Sequence, residues 1–106
     1  MPLDETRLND FIGQVLGDLG GAVSILLVRI GDALGLYATL HRIGPSTPDA
    51  LAAAAERHPR YVREWLAAQA ASGYVTHVDG KFSLSPEQAF VFALPDSPGP
   101  HDRGLR

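Results

Sequence analysis

Residues 61–85, YVREWLAAQAASGYVTHVDGKFSLS, leave the chain few ways to fold. Val62, Trp65, Leu66, Gln69 and Ala70 recur at helical spacing and share one face. Gly73 stands where a helix needs a left-handed residue to end. Beyond it, two strand-like runs flank Asp79-Gly80. Such a pair is a strong hairpin signal, because a type I′ turn needs positive φ at both central residues. Pairing across that turn sets Val75 opposite Leu84 and His77 opposite Phe82 on one face. Thr76 opposite Ser83 and Val78 opposite Lys81 take the other face.

A second helix is expected just upstream. Thr47 can cap it, Pro48 suits its first turn, and Asp49 complements its dipole. Leu51, Ala54 and Ala55 give it a slim apolar face, and His58-Pro59 breaks it and opens the next helix. Helices at about 48–57 and 59–72 make a helix-turn-helix pair. With the hairpin they define a mainly α fold carrying a small β-hairpin, a winged helix-turn-helix. Ser85-Pro86-Glu87-Gln88 is a capping-box signature, and Ala89, Phe90, Ala93 and Leu94 continue a last helix. From Pro95 the chain holds breakers and little to bury, so 1–94 reads as the domain and 95–106 as a flexible tail or truncated linker.

Ahead of this core the sequence is unusually apolar. Leu8, Phe11, Ile12, Val15, Leu16 and Leu19 follow an amphipathic helical pattern, which Gly20-Gly21 is expected to end. Residues 22–35 form a further helix whose stripe is Val23, Leu26, Leu27, Ile30 and Leu34, with Ile25 and Val28 on the opposite side. A helix apolar nearly all round needs cover on more than one face. A second subunit is one source of cover, with Val23, Ile25, Leu26, Leu27, Val28 and Ile30 as the dimer interface. Burial within one subunit, between the first helix and the winged core, is the other. Gly35 reads as a cap, and Leu36, Tyr37 and Leu40 as a short helix ending before Gly44-Pro45. Residues 22–36 are too short to cross a bilayer and contain Arg29 and Asp32, so no membrane association is expected. The acidic Asp4 and Glu5 do not resemble a signal peptide, and the chain has no cysteine. Both fit a cytoplasmic protein.

A DNA-reading role is weakly supported. The formal net charge is −3, and duplex binding needs several phosphate contacts. Arg60, Arg63 and Lys81 are the candidate DNA contacts, but Glu64 would repel phosphate, and Ala67 and Ala71 offer bases no hydrogen bonds. Arg60 and Glu64 are also spaced as an i, i+4 ion pair. No nucleophile elbow, phosphate loop or metal-ligand spacing is present. Catalytic, cofactor-binding and metal residues are therefore all expected to be none. His77 opposite Phe82 reads as packing, Trp65 as core, and Tyr61 as an open candidate for the floor of a ligand pocket.

Residues 31–40 (GDALGLYATL), 47–75 (TPDALAAAAERHPRYVREWLAAQAASGYV) and 81–90 (KFSLSPEQAF) carry a resemblance. They are similar to the N-terminal winged-helix dimerisation domain of bacterial class I S-adenosylmethionine-dependent methyltransferases, most specifically the actinobacterial and mycobacterial branch. The resemblance implies a homodimerising helical domain joined to a Rossmann-like catalytic domain, with N-terminal helices that interlock and help cover the substrate pocket. The glycine-rich cofactor loop of such enzymes would lie beyond Arg106. S-adenosylmethionine is thus expected only with a catalytic domain, and activity is not expected from this chain alone. The chain is expected to be a fragment, a natural truncation or a subunit acting in trans with a separate catalytic domain. The leading expectation is a non-catalytic dimerisation and substrate-lid module, with Phe11 and Val15 as the lid. The alternatives are a small winged-helix transcriptional regulator and a ligand-binding accessory protein.

Overall fold

The computed structural model of the protein describes residues 2–94; the expected tail at 95–106 lies outside the described residues. Seven elements follow one another: α1 (Glu5–Ala33), α2 (Leu36–Ile43), α3 (Pro48–Ala55), α4 (Pro59–Ala71), β1 (Thr76–Val78), β2 (Lys81–Ser83) and α5 (Pro86–Phe92).

The largest departure from the sequence reading is α1. The two expected N-terminal helices are one helix of 29 residues that runs straight through Gly20-Gly21. Glycine inside a helix costs about 1 kcal/mol relative to alanine, but it stops a helix only where the backbone turns left-handed. That turn comes at Gly35, with φ of 72°. At about 1.5 Å per residue, α1 is the long rod of a molecule 57 Å in its greatest extent. Asp4 caps its start by accepting from the Arg7 N–H at 3.1 Å.

The core sits below the last third of α1. Leu36, Tyr37 and Leu40 of α2 meet Leu51 and Ala52 of α3, and Val62, Trp65 and Leu66 of α4 close the layer. Val75 and Phe82 seal it from the wing, and Val28 is the buried contribution from α1. On α3 the buried alanine is Ala52, with Ala55 half-buried and Ala54 exposed. An alanine-rich helix gives no size contrast from which to read its phase.

The hairpin has the predicted register, Thr76 with Ser83, His77 with Phe82 and Val78 with Lys81. Asp79 (φ 51°) and Gly80 (φ 77°) supply the turn. The ladder stops at those three pairs, one short of Val75 and Leu84. A piece the sequence did not announce joins it: Ser46 donates its N–H to the Phe82 carbonyl at 2.9 Å and accepts from the Phe82 N–H at 2.7 Å. The α2–α3 loop is thereby tied to the wing. The caps are as predicted at Thr47 and Ser85, the latter a complete capping box with Gln88.

One buried polar pair crosses this core. The Tyr37 hydroxyl donates to Oε1 of Gln69, and both side chains are fully buried. The Tyr37 ring stacks on Phe92 at 4.7 Å and meets Trp65 edge-on at 4.9 Å. The Gln69 Nε2 has no hydrogen-bond partner among the described residues. Burial, with smaller contributions from Tyr74 and Asp32, pushes the Tyr37 phenol well above its ordinary value of 10.0. The unfolded chain loses this proton first, so the contribution is intact below the ordinary tyrosine range and is lost as pH rises above it. Tyr37→Phe is expected to cost about 1–3 kcal/mol in urea denaturation, because it leaves the whole Gln69 amide buried and unpaired. Tyr37→Phe with Gln69→Leu should cost less than the two single changes summed, since both partners of the bond then leave together.

Candidate association surface and adjoining clefts

The fused helix divides along its length. From Ser24 onward it is bound to the winged core. Ser24 and Ser72 hydroxyls lie 3.0 Å apart, and the Trp65 indole N–H donates to the Leu27 carbonyl at 2.9 Å. Gly31 is buried directly against that indole. Before Ser24 every described residue of α1 is exposed.

The residues singled out in the sequence therefore separate. Val28, 9% exposed, belongs to the chain's own core, and Leu27 is half-buried against it. Val23, Ile25, Leu26 and Ile30 are open, Ile25 and Leu26 to about 60%. Leu8, Phe11, Ile12, Val15, Leu16 and Leu19 extend the open apolar surface toward the N-terminus. Phe11 and Val15 lie on this unsupported part. The stripe Ile12, Val15, Leu19, Val23, Leu26, Ile30 advances in steps of three and four without a break at the glycine pair, the signature of one continuous helical face. Contiguous apolar surface on this scale marks an interaction site.

The bilayer argument also changes with the fusion. Residues 22–36 alone were too short, but the whole of α1 is long and apolar enough to cross a membrane by length and composition.

Two clefts flank the anchored end of α1. One, of about 470 Å³, runs between Leu27, Ile30 and Leu34 on α1 and Tyr61, Glu64 and Trp65 on α4. A smaller one of about 260 Å³ lies beside it and adds Leu36, Arg57, His58 and Val62. Tyr61 is exposed and borders both clefts, whereas Trp65 is a core residue showing only its edge. The Arg57 Nε donates to the Leu34 carbonyl at 3.3 Å. This contact between residues far apart in sequence was not legible beforehand; only the run Arg57-His58 ahead of a helical proline hinted at a polar rim.

The DNA-facing surface is occupied with itself. Arg60 pairs with Glu64 at 3.8 Å, and Arg63 with Asp49 at 3.2 Å. Lys81 stands exposed at the wing next to Asp79. His77 stacks on Phe82 at 4.3 Å, consistent with packing. No cluster of metal-binding side chains occurs among the described residues. A duplex-retardation assay at low salt is expected to show no bound species, since too few unpaired cations face outward from α4 and the wing to displace phosphate counterions.

A helix-turn-helix pair, a hairpin wing and a long N-terminal helix whose apolar stripe is open among the described residues define a winged-helix domain. The chain belongs to the family of Rv2258c-like winged helix-turn-helix domains, whose profile matches residues 21–93. No curated protein sequence matches it. Among solved structures it is similar to CalO1, a methyltransferase in calicheamicin biosynthesis seen in its SAH-bound form. The identity is 29% and the TM-score 0.69, over 92% of this chain and 27% of that one. It is similar to the mitomycin 7-O-methyltransferase MmcR at 27% identity and a TM-score of 0.70, over 88% of this chain and 28% of that one. PigF with SAH shares the fold, at 23% identity and a TM-score of 0.71, over 81% of this chain and 25% of that one. The chain thus spans about a quarter of the length of these proteins and resembles the N-terminal domain of S-adenosylmethionine-dependent O-methyltransferases.

Proposed function

We propose that this chain is the non-catalytic association module of an S-adenosylmethionine-dependent methyltransferase. Two copies pair through α1, and the Phe11–Val15 surface closes over a methyl acceptor held by a catalytic domain, in the same polypeptide or in another. The observation that carries the reading is the stripe of α1 from Leu8 to Ile30, which among the described residues is uncovered and is anchored only at the C-terminal end of the helix. Such a surface contributes to catalysis by excluding water and shaping the pocket. The acid, the base and the cofactor site then belong to the catalytic domain, where S-adenosylmethionine supplies the methyl group.

A protein partner suits α1 better than lipid. The unanchored part of the helix carries Asp10 and Asp18, and a carboxylate near a bilayer centre costs about 3 kcal/mol on insertion scales. The same reading makes the protein cytoplasmic. Molar mass in solution, alone and mixed with a methyltransferase catalytic domain, tests it. A dimer that raises the activity of the catalytic domain is the expected result. A monomer that neither self-associates nor affects that activity would overturn it.

A further inference from the structure

We propose that the smaller cleft, between the C-terminal end of α1 and the start of α4, is a binding site for a small aromatic carboxylate. The proposal does not require pairing through α1, although Ile30 of the proposed pairing face also lines the cleft. The volume of about 260 Å³ lies just below the range of about 300–1,000 Å³ for drug-sized ligands and suits a single substituted ring. Its walls are apolar, formed by Ile30, Leu34, Leu36, Val62 and the edge of Trp65. Its polar groups are Arg57, His58 and Tyr61, and no carboxylate lines it among the described residues.

The three polar groups share one sense. Arg57 is steadied at the rim by its Nε bond to the Leu34 carbonyl. The ion pairs among the described residues engage Arg60 and Arg63 and leave the Arg57 guanidinium without one. His58 accepts the Arg60 N–H at its Nδ1 at 3.2 Å, so its neutral ring carries hydrogen on Nε2. The His58 ring lies 5.1 Å from that of Tyr61, whose phenol is a further donor. Donors in a cleft whose described lining holds no carboxylate favour an anion, and the planar guanidinium fork matches a carboxylate. The apolar walls favour an aromatic body behind that carboxylate. The larger cleft next door includes Glu64 and repels the same ligand.

The chain has one tryptophan, and it lines the cleft, so its emission reports occupancy. Benzoate is the probe, with acetate and benzyl alcohol as controls lacking the ring and the charge. Benzoate is expected to produce a saturable change in Trp65 emission at millimolar concentration or below, at least tenfold tighter than either control. Arg57→Gln is expected to weaken benzoate at least tenfold and to leave benzyl alcohol unchanged. Tyr61→Ala, at an exposed position that the fold tolerates, should weaken benzoate several-fold and serves if the first variant folds poorly. An unsaturable response, equal binding of acetate, or benzoate affinity unchanged in both variants would overturn the proposal.

Discussion

If two copies pair through α1 as proposed, Leu26→Asp converts that dimer into a monomer and leaves its helical content unchanged. Leu26 is about 60% exposed in the single protomer, so the substitution removes little packing from the folded chain. At a two-fold interface the same residue is used twice, and two carboxylates would be buried near each other without partners. One unpaired charge at such a seam costs several kcal/mol, which corresponds to a dissociation constant raised by about a hundredfold or more. Ile25→Asp tests a second open face of the same helix, about 100° round from Leu26. Val28→Asp would not be informative, because Val28 lies in the protomer's own core and its loss would unfold the domain. Light scattering across a concentration series, with circular dichroism beside it, separates dissociation from unfolding. A dimer as tight as the parent in both Leu26→Asp and Ile25→Asp would remove α1 from the interface.

The parts of the fold that were legible in advance are those fixed by local chemistry. The Asp79-Gly80 turn set the strand register, and Thr47 and Ser85 announced their helices through side-chain oxygens that reach orphan amides. The misreading of Gly20-Gly21 came from treating a propensity cost as a stop. The apolar stripe keeps its phase through the pair, and phase is the stronger signal because burial outweighs propensity. What remained illegible depends on contacts between distant residues. Nothing near Ser46 predicts that its backbone pairs with Phe82, and nothing near Arg57 predicts that it reaches Leu34. The division of the N-terminal apolar residues, with Val28 inward and Ile25 and Leu26 outward, likewise follows only from where α4 and its indole sit.

That indole sets the second expectation: Gly31→Ala destabilises the domain, while Gly20→Ala in the same helix stabilises it. Helix propensity alone favours alanine at both positions by about 0.5–1 kcal/mol. At Gly31 an added Cβ would lie 2.3 Å from Cζ2 and 2.8 Å from Cε2 of Trp65. The ring cannot retreat cheaply, because its N–H is bonded to the Leu27 carbonyl one turn away and its other edge meets Tyr37. Accommodating the methyl means lifting α1 off α4 or breaking that bond, so a net loss of about 1–3 kcal/mol is expected, as for overpacked cores. At Gly20 no atom of the described residues lies within 4 Å of the added Cβ, so the propensity gain stands alone. In thermal unfolding at one fixed protein concentration, the two variants should move in opposite directions by several degrees each. Gly31→Ala as stable as the parent would mean the indole is not seated on the helix in solution. A fall in stability for Gly20→Ala would show that the open face around Gly20 is closely covered in solution, and would place a packing partner on a second side of α1.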